Sequence, residues 1–404
     1  MASRWAALTW FSLGCAVTAG VAAAPWTRHT IDRSSRGADG VRLRDVNADG
    51  VPDIATGWEE GGVVRVYTNP GPAHVRGPWP AVTAGAVRAP EDAVLIDLDG
   101  DGATDVVSCC EAAERTVYVH WAPATASQHA DPTAWSTVPF DATRGKQMWM
   151  FALPCQLDER HGSDLLVGSK GPKATISWLE APANPRQTSA WRLHSLRRSG
   201  WIMSLRQYDM DGDGDQDILF SDRKSETRGV AWLEHPGIEA VRRDAAWAEH
   251  TIGGSDREVM FLAVHDPGTG AAPAIAAATA DGPLLVFERA RQDAEWHRDE
   301  IPLPPGMGTG KGVAWGDMDL DGTIDLVFTC ERAARQLSGV GWLRQHRSPA
   351  GRAERWQPFD IGGPEGVKYD RVELIDLDAD GDLDVLTCEE ADNLGVIWYE
   401  NPVR

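Results

Sequence analysis

Five copies of one acidic loop constrain this chain more than any other feature. The pattern is D-x-[DN]-x-D-G-x-x-D. It is read at Asp45-Asn47-Asp49-Gly50-Asp53, Asp97-Asp99-Asp101-Gly102-Asp105 and Asp209-Asp211-Asp213-Gly214-Asp217. Asp317-Asp319-Asp321-Gly322-Asp325 and Asp376-Asp378-Asp380-Gly381-Asp384 complete the set. Adjacent complete copies start 52 residues apart (45 and 97) and 59 apart (317 and 376), and the two remaining gaps are about twice as long. Each long gap holds a decayed copy. One runs from Gln156 to Asp164; the other begins near His265 and has lost its carboxylates. A fixed period of this length signals a repeat architecture, here of seven units.

Short apolar runs flank each loop, such as Ala93-Val94-Leu95-Ile96 before and Val106-Val107 after the second copy. They predict two strands joined by the loop as an antiparallel hairpin. A third strand ends near an aromatic (Tyr67, Trp121, Trp178, Trp232, Phe287, Trp342, Trp398). A fourth carries Trp at 26, 79, 135, 191, 247, 296 and 356, in three cases as Trp-x-x-His. Four short strands repeated seven times predict an all-β, seven-bladed β-propeller with four-stranded antiparallel blades, its units starting near 40, 91, 147, 201, 258, 311 and 369. The last unit stops at its third strand, and its missing fourth strand is found at residues 26–32. Such a strand would close the ring and leave no exposed sheet edge where the ends meet.

On these residues the chain resembles the FG-GAP/VCBS repeat family, whose relatives include the propeller of integrin α-subunits. The resemblance implies loops on one face holding calcium, and an extracellular adhesion role is one function it allows. The residue types support the same metal. Ca²⁺ takes six to eight oxygen ligands, and loop positions one, three, five and nine can converge on one point, with Gly at position six making the turn. The expected ligands are the carboxylates and Asn47 of the five loops quoted above, for up to five structural Ca²⁺. Without a counter-charge such carboxylates repel one another. The formal charge of −21 would then fall to about −11, leaving much of the acidity as internal ligand.

That acidity excludes nucleic acid and anionic lipid as natural partners. Residues 1–23 read as an export signal: Arg4, an apolar run from Trp5 to about Val21, then Ala22 and Ala23. A lipoprotein site at Cys15 and a retained anchor are the competing readings. The expectation is a secreted, periplasmic or cell-surface protein with no later membrane span, comprising residues 24–404 as one propeller, monomeric. Its five remaining cysteines (Cys109, Cys110, Cys155, Cys330, Cys388) do not make a disulfide scaffold, because an odd count leaves at least one unpaired within the chain.

Function is expected on the face opposite the loops. Six residues after the final loop position stand Glu59, Glu111, Lys170, Arg223, Thr279, Glu331 and Glu390, or their equivalents. Glu91, Lys146, Trp149, Trp201, Glu258, Lys311, Lys368, Tyr369 and Asp370 enter the first strands on the same side. Charged groups and aromatics around one mouth would suit a sugar or an anionic polysaccharide; ordinary solvated strand ends would also be charged. The leading expectation is a binding module for a glycan or protein ligand, without catalysis. The alternative is a carbohydrate lyase or sugar dehydratase using Lys146, Lys311, Lys368, Tyr369 and Glu331.

Overall fold

The structure is a computed structural model and describes residues 25–268, 272–291, 294–347 and 353–403. The export segment read at residues 1–23 lies outside them. No helix among the described residues is long and apolar enough to cross a membrane.

Seven four-stranded antiparallel sheets form the molecule. Six of them use consecutive strands. The seventh contains Tyr369–Ile375, Asp384–Glu389 and Gly395–Glu400, and takes Thr27–Asp32 as its fourth strand. Thr27 pairs with Glu400 and His29 with Trp398 in that closing ladder. The closure read from the sequence is thus the observed one.

The first strands stand side by side around the axis: Ala38–Arg44, Pro90–Ile96, Met148–Cys155, Ile202–Tyr208, Val259–His265, Thr309–Gly316 and Tyr369–Ile375. Each runs from one face into its loop on the other. Burial then falls from inside to outside. Second strands such as Asp53–Trp58, Asp217–Asp222 and Asp384–Glu389 are buried at every residue, whereas the fourth strand Ala248–Gly253 is largely exposed. Both faces of an inner strand meet a neighbouring blade, so these strands are near-continuous apolar runs.

The Trp-x-x-His strands serve blade packing. His29 stacks on Trp398, His194 on Trp178 and His250 on Trp232, with centroids 4.2–4.6 Å apart. Each imidazole Nε2 also bonds a glutamate, Glu400, Glu180 and Glu234 respectively. The five cysteines among the described residues are all free and buried. Burial pushes the thiols of Cys110 and Cys330 up to about 12, so they are inert packing residues rather than nucleophiles.

Candidate functional site

The five complete loops share one internal geometry. The first Asp accepts the backbone N–H of the position-six glycine through Oδ2 at 2.8–3.1 Å, from Asp45–Gly50 to Asp376–Gly381. Those glycines have φ between 83° and 100°. A Cβ on any of Gly50, Gly102, Gly214 or Gly322 would meet nothing within 4 Å, so the backbone angle, not space, selects glycine.

Position nine plays a second part that loop spacing did not disclose. Asp53, Asp105, Asp217, Asp325 and Asp384 are almost fully buried. One oxygen of each accepts the N–H of the second loop residue at 2.8–3.3 Å. The other accepts an N–H at the end of the third strand or just past it at 2.7–2.9 Å. The decayed third loop keeps this latch: Asp164 accepts from Leu157 and Ala181. Position nine therefore ties loop to blade, with or without a metal. Burial raises these carboxyls, to about 7 for Asp105 and Asp384 and about 6 for Asp164, Asp217 and Asp325.

The loop carboxylates fit a hard divalent ion. Ligand oxygens of Asp97, Asp99 and Asp101 lie within 4.8 Å of one another, as do those of Asp209, Asp211 and Asp217 and of Asp317, Asp319 and Asp325. In the last group Asp319 Oδ1 is buried and accepts no hydrogen bond. Part of the counter-charge is supplied by the protein itself. Arg186 pairs with Asp99 and, at 3.2 Å, with Asp101. Arg344 pairs with Asp319 at 2.7 Å and Asp321 at 2.9 Å, and Arg76 with Asp378 and Glu400. One guanidinium against three or four carboxylates lessens the repulsion without removing it.

On the opposite face the predicted charged residues do converge. Lys170 pairs with Glu111 and lies 3.4 Å from Glu91. Arg223 bonds Glu258 at 2.8 Å and reaches Glu331 at 3.9 Å. Lys311 lies 3.4 Å from Asp370 and 3.9 Å from Glu331, and Lys368 pairs with Glu390. Most of these pairs cross from blade to blade, so the ring of charge also fastens the mouth. Asp39, which the sequence reading missed, sits among them: its oxygen lies within 4.8 Å of those of Asp370 and Glu390, and of Glu59 and Glu91. Burial and its acidic neighbours raise Asp39, while Lys311 helps keep Asp370 ionised. A signal was available, since Asp39 holds the same position before its loop as Glu91, Lys311 and Asp370.

Other candidates are placed elsewhere. Tyr369 and Trp149 are fully buried. The Tyr369 hydroxyl bonds Tyr399 and the carbonyl of Glu365, and the Trp149 indole donates to Thr143. Lys146 is exposed and forms no ion pair among the described residues. Thr279 is buried and donates to Pro283 O. Trp201 is half-buried, with Lys170 and Arg223 each 4.7 Å from its ring centre and Lys224 at 5.2 Å. Cations cover the ring, so no aromatic platform for sugar stacking is formed by these residues.

Fold and loops together define a seven-bladed β-propeller carrying FG-GAP-like repeats. The FG-GAP-like repeat family model matches residues 45–108, which hold the first two loops and the strands around them. Among solved structures the ring is similar to the crystal structure of Saccharomyces cerevisiae Sqt1, with a TM-score of 0.50 at 11% identity, covering 93% of this chain and 98% of that one. At this identity the likeness concerns the fold alone. No curated protein matches the chain.

Proposed function

We propose that this protein is an exported, calcium-stabilised propeller that binds its ligand at the mouth opposite the acidic loops, without catalysis. One observation carries the choice of ligand. Eight carboxylates (Asp39, Glu59, Glu91, Glu111, Glu258, Glu331, Asp370, Glu390) surround four paired cations (Lys170, Arg223, Lys311, Lys368). Burial shifts Asp39, Glu91 and Glu390 toward their protonated forms, so the negative excess is smaller than this count. Each of the four cations is nevertheless already paired and offers an anionic polysaccharide no free partner; a hydroxyl-rich neutral glycan or a basic protein segment is favoured instead. Export rests on the character of residues 1–23, and calcium on the clustered loop oxygens.

The lysines argue against the lyase reading. Burial alone would lower Lys311, Lys368 and Lys170, but their acidic neighbours outweigh it and hold all three above the ordinary lysine value. An ammonium held this firmly cannot abstract a proton. Any proton transfer at this mouth would fall instead to Glu91 or Glu390, which burial raises to about 8 and about 7.

Calorimetric titration with neutral glycans, a lysine-rich peptide and acidic polysaccharides tests the site. Binding of a neutral or basic ligand, weakened about tenfold in Glu111→Gln or Glu331→Gln, is expected. Preferential binding of the acidic polymers would overturn it. Turnover of any of these ligands that is lost in Glu91→Gln or Glu390→Gln would replace the module by an enzyme. For the metal, added Ca²⁺ should raise Tm and a chelator should reverse the rise; a Tm indifferent to both rules calcium out.

A further inference from the structure

The first strands run side by side around the axis with one rise per residue, so residues at the same offset before each loop share a layer. Three residues before the loops stand Arg42, Val94, Leu153, Arg206, Ala263, Ala314 and Glu373. Five residues before them, Phe151 and Phe261 meet edge to face with centroids 5.6 Å apart, and Asp92 and Arg371 hold the equivalent positions. The aromatic pair narrows the bore between the mouth described above and a well on the loop side. Arg42 lies 6.0 Å from the Phe151 ring centre and Lys311 5.7 Å from that of Phe261. The well encloses about 420 Å³ and is lined by Arg42, Arg206, Arg371 and Glu373 together with the apolar Val94, Leu95, Leu153 and Pro154.

Its charges do not cancel. Arg42 is committed to Asp92 by two parallel bonds of 2.7 Å. Arg371 gives one N–H to Glu373 at 2.8 Å, while its buried Nε has no partner; the residue is only 6% exposed. Arg206 forms no hydrogen bond or ion pair among the described residues and shows part of its surface to the well. Burial and the neighbouring Arg371 and Arg42 push Arg206 down to about 9, and it remains a cation at neutral pH. Three guanidiniums therefore face two carboxylates. A desolvated, unmatched charge is costly, and a planar guanidinium accepts a planar two-oxygen partner best.

We propose that this loop-side axial well is a binding site for one small organic carboxylate, its two oxygens on Arg206 and the free edge of Arg371, its apolar body against Val94, Leu153 and Pro154. The site is separate from the opposite mouth and stands whether or not that mouth binds a glycan or a protein.

Titration of the full protein, calcium present, with benzoate, butyrate, sulfate, phosphate and neutral benzyl alcohol tests it. Saturable one-to-one binding of the two carboxylates is expected, with sulfate and phosphate weaker and benzyl alcohol silent. Arg206→Gln should weaken benzoate at least about tenfold, yet raise the Tm of the ligand-free protein, because it removes an unpaired charge. Glu373→Gln should tighten benzoate several-fold by releasing Arg371, so the proposal remains testable even if the first variant folds poorly. No saturable carboxylate binding to the wild type, or affinity unmoved in both variants, would overturn the site. Sulfate binding as tightly as benzoate would overturn its assignment to carboxylates.

Discussion

His29 lies stacked on Trp398, centroids 4.4 Å apart, and the same imidazole bonds Glu400 at 2.7 Å. This contact joins the strand that closes the ring to the third strand of the final blade. His250 makes an equivalent stack on Trp232 and an equivalent bond to Glu234, but within one continuous blade. The two sites share the stack and the imidazole–glutamate bond. They differ in the length of chain that connects the partners, in burial, and in the Arg76 that also pairs with Glu400. His29→Ala and His250→Ala should each cost about 1–2 kcal/mol at equilibrium. Contacts between residues far apart in sequence form late in folding, so the loss at His29 should appear mainly as faster unfolding. Denaturant jumps on the two variants check this; equal unfolding rates would refute a special role for the closure.

Asp164 separates the latch from metal ligation, because Gln156 and Arg160 replace the carboxylates at positions one and five of its loop and leave only Asp158 at position three. Asp164→Asn leaves one buried backbone N–H without an acceptor, a loss of about 1–3 kcal/mol. That loss should be the same with calcium and with chelator. Asp209→Asn, at the first position of a complete loop, should lower Tm much more in calcium than in chelator. Thermal melts of both variants in both conditions decide the matter.

Glu91 gives the mouth a pH dependence of definite sign. Burial raises its folded-state value to about 8, with Glu111 adding to the rise and Lys170 opposing it. The native state then holds a proton that the unfolded chain releases above about pH 4.5. The contribution of Glu91 to stability is therefore greatest in acid and falls as pH rises from about 4.5 to 8. Glu91→Gln mimics the protonated form. It should be neutral near pH 5 and raise Tm by about 2–4 °C at pH 8. A Tm difference that shrinks between those values would contradict the assignment.

The seven units, the acidic loops and the closing strand were legible because each depends on neighbouring residues. Asp and Gly at fixed loop positions reveal a turn, short apolar runs reveal its strands, and the displaced strand at 26–32 reveals the closure. The mixed-charge mouth followed from counting forward from each loop, since a strand has a fixed rise per residue.

What lay beyond the sequence reading are relations between blades. Arg186 and Arg76 reach acidic loops of other blades across 85–87 and 302 residues of chain, and no local pattern links them to Asp99, Asp101 or Asp378. Tyr369 stands between the mouth residues Lys368 and Asp370 in the sequence, yet a single step along a strand turns its side chain into the core. Arg42, Arg206 and Arg371 come from blades 1, 4 and 7 and form one well only because the ring closes. The sequence by itself determined the blade, its number and its closure, through short-range turn chemistry and periodicity. The tertiary structure decided which charges meet and which remain unmatched, because electrostatic partnership depends on distance and burial in space.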